Sequence, residues 1–207
     1  MLNRITSVVA VSAAMLAGSH ASAQVVELDF EPDISVGQGF FQNITLLGTI
    51  GVPGDEDFSI NNFTTSTATV QQIFMPFFGS TVITTGGTVG STAEAAMLMQ
   101  GDVIDATTVF GGPNSFVATF ADQGLAAGQW YDPTDPVTGI AGFSFVDGPN
   151  THYGWVEVTV SPDNGGSITI DRAAYNLRPD VAVVVPEPTT LAGFALAGLG
   201  MLARRRR

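Results

Sequence analysis

The sequence contains no cysteine and no lysine, and arginine supplies all seven of its basic residues. The lack of cysteine excludes disulfides, thiol catalysis and thiolate zinc sites together. The fold must therefore rest on its hydrophobic core alone. Once the two ends are set aside, about 155 residues remain, which is enough for one domain with a core of useful size.

Positive charge is almost absent from the middle of the chain. Residues 24–180 contain eighteen acidic side chains against Arg172 and Arg178, a net charge near −16. Such a surface repels phosphate, so nucleic acid is not expected as a partner. The same surface would attract divalent cations and would meet an anionic polymer only through a bridging metal.

The N-terminus has the three parts of a secretory signal peptide. Arg4 supplies a positive charge, residues 5–17 are mostly apolar, and Ala21-Ser22-Ala23 has the small-residue pattern of a cleavage site before Gln24. We therefore predict that residues 1–23 are a signal peptide, with a retained N-terminal anchor as the alternative. The protein is expected to be exported.

The C-terminus has three blocks in a fixed order. Pro186-Glu187-Pro188 is a stiff, acidic tripeptide, because proline fixes φ and keeps the preceding residue out of a helix. Residues 191–203 are apolar and would span roughly 20 Å as a helix, short for a membrane crossing. The chain then ends with cations that favour the cytoplasmic side, Arg204, Arg205, Arg206 and Arg207. These flanks predict a short transmembrane helix, although a buried core helix is the alternative.

This tail, residues 185–207, resembles the PEP-CTERM sorting signal. The resemblance implies a substrate of exosortase, a membrane-embedded processing enzyme of Gram-negative bacteria that make exopolysaccharide. It further implies recognition of Pro186, Glu187 and Pro188 and removal of the helix. The protein would be held transiently in the inner membrane with its C-terminus in the cytoplasm, then moved to the cell surface or released. The run His152-Tyr153-Gly154-Trp155 before a final hairpin also resembles the ectodomains of such proteins.

Between the two ends, short apolar or alternating runs are separated by Gly, Pro, Asp and Asn turns. This pattern predicts an all-β, antiparallel β-sandwich of jelly-roll-like type over residues 24–178. The predicted strands are 25–30, 44–50, 58–63, 67–75, 81–85, 115–120, 140–146, 152–160 and 167–171. Residues 91–101 fit a short helix, but residues 95–100 also fit a buried strand, and the β neighbours favour the strand. Residues 179–190 have the composition of an extended linker.

Candidate chemistry is sparse, and no catalytic residue is assigned. His152 is the one histidine outside the signal peptide, and with no G-x-S-x-G motif beside it we interpret it as structural. Four aromatic side chains could stack on sugar rings or pack in the core: Trp130, Tyr131, Tyr153 and Trp155. Two acidic turns offer carboxylates that could bind Ca²⁺ but could equally be solvated, namely Asp55 with Asp57 and Asp132 with Asp135.

These observations favour a non-catalytic cell-surface or extracellular-matrix protein that is associated with exopolysaccharide in a biofilm. The alternative is a glycan-acting hydrolase or a carbohydrate-binding module on the same anchor. A hydrolase would need a cleft with two carboxylates roughly 5–9.5 Å apart beside an exposed aromatic side chain.

Overall fold

The computed structural model describes residues 10–11, 25–37, 39–44, 58–64, 69–74, 80–111, 117–147, 149–162 and 166–186. Within these residues the chain forms strands and no helix, which confirms the all-β prediction. The strands are β1 Ala10–Val11, β2 Val25–Val36, β3 Phe40–Ile44, β4 Phe58–Thr64, β5 Thr69–Phe74, β6 Thr81–Val82, β7 Thr84–Val89, β8 Thr92–Ala95, β9 Val103–Ile104, β10 Val117–Asp122, β11 Val137–Asp147, β12 Asn150–Ser161, β13 Ser167–Asn176 and β14 Val183–Val184.

Two six-stranded sheets and one small two-stranded sheet make up the described fold. The first sheet has the order β1-β2-β13-β12-β11-β6, and the second has the order β3-β4-β5-β10-β8-β7. Strands β14 and β9 form the small sheet. The strand pairs are antiparallel, with the parallel pair β8–β10 as the exception among the described strands.

The main core lies between the two large sheets. Along β12, Val156, Val158 and Val160 alternate with more polar residues and are buried. From opposite sheets, the rings of Phe58 and Phe143 lie 5.1 Å apart between centroids. Each large side chain buried in this way contributes about 1.5–3 kcal/mol, which offsets chain entropy in a protein without disulfides.

A buried amide also ties the two sheets together. Asn62 on β4 is fully buried, and its side-chain nitrogen donates to the carbonyl oxygens of Val36 at 3.1 Å and Gly166 at 2.9 Å. Val36 ends β2 and Gly166 precedes β13, so both acceptors belong to the first sheet. Because an unpaired buried amide is costly, these bonds fix the mutual position of the sheets at this end.

A second hydrophobic cluster lies on the opposite face of the first sheet. Tyr153 and Trp155 on β12 point away from the main core, because they alternate with its buried valines. The remaining buried members are Ile83, Ile104, Ile140, Ala174, Val183 and Val185. Ile104 and Val183 belong to the small sheet, so β9 and β14 cover this face of β12.

The glycine between Tyr153 and Trp155 is required by close packing. A Cβ atom at Gly154 would lie 2.6 Å from Cζ of Phe143 and 2.7 Å from the carbonyl oxygen of Ala174. The Tyr-Gly-Trp sequence thus serves both faces of β12, since its aromatic residues point outward and its glycine admits Phe143 from the adjacent strand.

Most predicted strands lie within observed ones, and the predicted hairpin is the pair β12–β13. Residues 91–101 form no helix, and the strand observed there is β8, Thr92–Ala95, which meets the predicted strand 95–100 only at Ala95 and is followed by an isolated bridge at Leu98. The prediction for 44–50 meets β3 only at Ile44, and residues 45–50 lie outside the described part. Within the predicted linker, residues 183–185 pack on the domain instead of extending from it, because their buried valines fit over β12.

Candidate functional site at the root of the C-terminal tail

The last described segment, residues 177–186, runs as a strap across the outer face of the first sheet. After β13 the chain turns at Asp180, which has a positive φ of 58°, a conformation that aspartate tolerates better than most residues. The backbone nitrogen of Asp180 donates to the carbonyl oxygen of Thr151 at 2.8 Å, which attaches the turn to β12. The strap therefore begins from a fixed point.

Asn176 holds the near end of the strap. This fully buried residue donates from Nδ2 to the carbonyl oxygen of Ala182 at 3.0 Å, and its Oδ1 accepts from the backbone nitrogen of Arg178 at 3.1 Å. Its own carbonyl oxygen lies 2.8 Å from Nδ1 of His152, so this ring nitrogen carries the proton and donates. One residue thus connects β13, β12 and the strap.

The far end of the strap is held by β9. Val183 and Val184 pair with Ile104 and Val103, and the backbone nitrogen of Val185 donates to the carbonyl oxygen of Asp102 at 2.9 Å. Val183 and Val185 are buried while Val184 between them is 56% exposed, the alternation of a strand with one buried face. Backbone pairing and side-chain burial therefore both continue up to Pro186.

An ion cluster supports Trp155 beneath the strap. The guanidinium of Arg172 lies 5.3 Å from the centre of the indole of Trp155. It also forms ion pairs with Glu157 and, at 3.0 Å, with Glu27. Burial alone would lower the pKa of Arg172, but the two carboxylates outweigh burial and raise it. Arg172 is therefore held as a permanent cation against the aromatic ring.

Tyr153 belongs to the second hydrophobic cluster and lies near two acidic residues. Its ring stacks at 6.2 Å from that of Phe110. Burial raises the pKa of Tyr153, and the negative charges of Asp180 and Asp105 raise it further. The phenol therefore stays neutral, and its ring packs under the strap.

The predicted sorting residues begin where the strap ends. Pro186 is half-buried directly after the buried Val185. Glu187, Pro188, the apolar segment 191–203 and Arg204 to Arg207 lie outside the described residues, as do the signal-cleavage residues Ala21, Ala23 and Gln24. In the described part of the chain, no helix has the length and hydropathy needed to cross a bilayer.

Three of the four aromatic residues considered for sugar stacking are buried. Trp130 is fully buried, donates from Nε1 to the carbonyl oxygen of Ala95 at 3.1 Å, and meets Phe120 edge to face at 4.9 Å. Tyr153 and Trp155 are covered by the strap as described above. Their rings are not open to a sugar, so the stacking prediction is wrong for these three. Tyr131 is half-buried.

The structure instead exposes phenylalanines that sequence reasoning did not select. Phe40 and Phe41 on β3 are 70% and 66% exposed, and Phe63 on β4 is 52% exposed. Phe41 pairs with Asn61, so Phe41 and Phe63 share the outer face of the second sheet with Asn61 between them. The only local signal was the Phe40-Phe41 pair, which lies outside any alternating run.

Of the acidic turns considered for Ca²⁺, the one at Asp132 is described. Its Oδ1 accepts from the backbone nitrogens of Thr134 at 2.8 Å and Asp135 at 2.9 Å, and from the Thr134 hydroxyl. These bonds lower the pKa of Asp132. They engage one of the two carboxylate oxygens of Asp132, and among the described residues no group of three or more metal-ligating side chains occurs. Asp55 and Asp57 lie outside the described part.

His152 is buried on β12 with its ring stacked on Phe145 at 5.3 Å. Its Nδ1 bonds Asn176, and its Nε2 has no hydrogen-bond partner among the described residues. The ring thus packs against phenylalanine and is tied to the backbone that carries the strap, and its interpretation as a structural histidine stays a prediction.

The geometry thus defines an all-β domain that fixes the start of a C-terminal segment on its own surface. Residues 184–207 match the PEP-CTERM protein-sorting motif. The chain therefore carries a PEP-CTERM sorting motif at its C-terminus, and the motif indicates an exported protein, transiently anchored in the membrane at its C-terminus and processed by an exosortase. Comparison with curated proteins and with solved structures gave no match for the chain.

Proposed function

We propose that this protein is a non-catalytic component of the cell surface or extracellular matrix that associates with exopolysaccharide. The exosortase-sorted tail provides the route to that compartment. Before processing, the four terminal arginines keep the C-terminus in the cytoplasm, the side that such clusters prefer. In this proposal the domain is a cargo whose jelly-roll-like sandwich displays a binding surface outside the cell.

The observation that carries the polysaccharide contact is the exposed pair Phe41 and Phe63 on one face of the second sheet, while the exposed Phe40 belongs to the other face. The apolar face of an aromatic ring packs on the apolar face of a sugar ring, and large apolar side chains exposed together on one face are typical of interaction sites. The polar side chain of Asn61 lies between Phe41 and Phe63 on the same face. This arrangement supports weak, repeated contacts along a polymer.

Co-sedimentation with the exopolysaccharide of the producing organism, with and without Ca²⁺, tests the proposal. We expect the domain to be retained and the double variant Phe41→Ser/Phe63→Ser to lose retention. Leu125→Ser is a matched control, since Leu125 is 58% exposed but lies in the loop after β10. No retention in either condition, or equal loss in the control, would contradict the proposal.

The same mixtures distinguish the hydrolase alternative. A non-catalytic protein leaves the number of reducing ends constant during incubation, whereas a hydrolase increases it with time. An increase that follows the protein through purification would replace the matrix role with a glycan-cleaving one.

A further inference from the structure

The small sheet β9–β14 has one buried and one exposed face. Ile104 and Val183 are buried over β12, while Val103 and Val184, which are directly opposed across the two strands, are 52% and 56% exposed. Met99, 77% exposed, lies on the turn before β9, where its carbonyl oxygen accepts from the backbone nitrogen of Asp102 at 3.1 Å. We call Met99, Val103 and Val184 the tail-root patch.

The tail-root patch lies next to the point where the chain leaves the described domain. Its residue Val184 is two positions before Pro186, and the apolar segment 191–203 begins five residues after Pro186. Five residues span at most about 18 Å even when fully extended. When segment 191–203 is in the bilayer, Pro186 is therefore held within that distance of the membrane surface, and Val184 of the patch, seven residues before the segment, is held within about 25 Å. The headgroup region itself takes up several of these ångströms.

We propose that the tail-root patch docks on the lipid surface while the protein is anchored, with its three aliphatic side chains at the boundary between headgroups and acyl chains. This inference rests on the transient C-terminal anchoring that the sorting motif indicates. The anchor gives the patch an effective concentration on the order of millimolar at the bilayer, so a contact too weak to bind free protein is occupied in the anchored form.

Charge selects the kind of lipid. Asp102 and Asp105 flank the patch, and hydrogen bonds from Thr107 lower the pKa of Asp105, so its carboxylate is ionised near neutral pH. Carboxylates at this position repel anionic headgroups. The docked surface is therefore zwitterionic lipid, and the contact is apolar, which makes it insensitive to salt.

The absence of native cysteine makes a direct test straightforward. The full chain carrying Met99→Cys or Val103→Cys, produced in a host without exosortase, is labelled with an environment-sensitive fluorophore and reconstituted into phosphatidylcholine vesicles. A quencher attached at the headgroup boundary reports contact with lipid. Leu125→Cys is the control, because Leu125 is exposed but lies on the loop after β10, outside the strap. Vesicle flotation reports anchoring separately.

We expect quenching at positions 99 and 103 to be at least threefold stronger than at 125, and to be unchanged between 50 and 500 mM salt. Equal quenching at all three positions in protein that floats overturns the lipid contact of the patch but leaves the anchoring intact. Protein that does not float overturns both. Shielding of the fluorophore from water that increases with protein density assigns the patch to a second copy of the chain. Shielding that occurs without vesicles assigns it to a second copy or to the chain's own tail. Either result likewise overturns lipid docking.

Discussion

The side-chain amide of Asn176 donates a 3.0 Å hydrogen bond to the carbonyl oxygen of Ala182, and this bond joins the last strand of the first sheet to the strap. Asn176→Ala removes this donor and the acceptor for Arg178. We expect a loss of about 1–3 kcal/mol in the free energy of unfolding, because the freed backbone groups stay partly buried. Urea unfolding measures the loss, and limited proteolysis should show earlier cleavage within residues 177–186.

Asn150→Ala provides the matched control for this variant. Asn150 is half-buried at the start of β12, and its side chain forms no hydrogen bond with the described residues of the strap. It should change stability by less than about 0.5 kcal/mol, the usual range for surface positions. If Asn176→Ala is as stable and as resistant to protease as this control, the strap does not depend on Asn176.

The sorting motif begins inside the fold, and this has a consequence for processing. The match starts at Val184, while the next residue, Val185, is buried and bonded to Asp102. An enzyme that engages these residues in its own cleft needs β14 to detach first, through local unfolding. A crosslink between β14 and β9 should therefore block processing.

Val103→Cys/Val184→Cys supplies that crosslink. Because Val185 donates to Asp102, the neighbouring pair of residues 103 and 184 is the non-hydrogen-bonded kind, with Cα atoms about 4.5 Å apart, within disulfide range. In a host with exosortase, we expect the oxidised double variant to stay as precursor on a gel and to mature after reduction. Each single variant should mature normally. Equal maturation of the oxidised form would show that the strap stays closed during processing.

The ion cluster under Trp155 predicts strong coupling between Arg172 and Glu157. Arg172→Met leaves the half-buried carboxylate of Glu157 without its cation and should cost about 3–5 kcal/mol. Glu157→Gln in the same chain should recover most of this loss, because the charge that then remains without its cation, on Glu27, is half-exposed to solvent. Urea unfolding of the four proteins of the double-mutant cycle gives the coupling energy, and a value near zero would mean that the pair is solvated.

Sequence reasoning recovered the strands that have a local signal. Alternation along β12 and β13 and the turn between them predicted the hairpin, because period two is visible in Val156, Val158 and Val160. It also located the tail, whose order of proline, apolar and arginine residues needs no tertiary information. What it missed depends on distant contacts.

The strap is the main example of such a contact. Residues 179–190 have a linker composition, yet Val183 and Val185 are buried because β9, a two-residue strand some eighty positions earlier, pairs with this segment. No local pattern marks a strand of two residues. Trp130 and Trp155 could not be assigned to core or surface for the same reason, since both possibilities agree with their immediate neighbours and only the covering elements decide between them.

The raised pKa of Asp171 predicts that neutralising this side chain increases the free energy of unfolding. Burial raises its pKa, despite a hydrogen bond from Thr159, and the charges of Asp33 and Glu157 raise it further. Between 3.8, the ordinary pKa of an aspartate side chain, and the higher folded value, the folded state binds more protons than the unfolded state, so stability falls as pH rises through this window. At pH 7 the ionised carboxylate therefore lowers the free energy of unfolding by a constant amount, and Asp171→Asn should remove this loss.

We expect Asp171→Asn to be more stable than the wild type at pH 7 by less than about 1 kcal/mol, because the group is only half-buried. The difference should vanish below pH 3.8, where the wild-type carboxyl is protonated in both states. Asp132→Asn is a control of opposite sign, since hydrogen bonds lower the pKa of Asp132 and its contribution is present above pH 3.8 and lost below it. Urea unfolding at intervals from pH 7 to pH 3 distinguishes the two, and parallel curves for both variants would mean that desolvation of Asp171 does not affect folding.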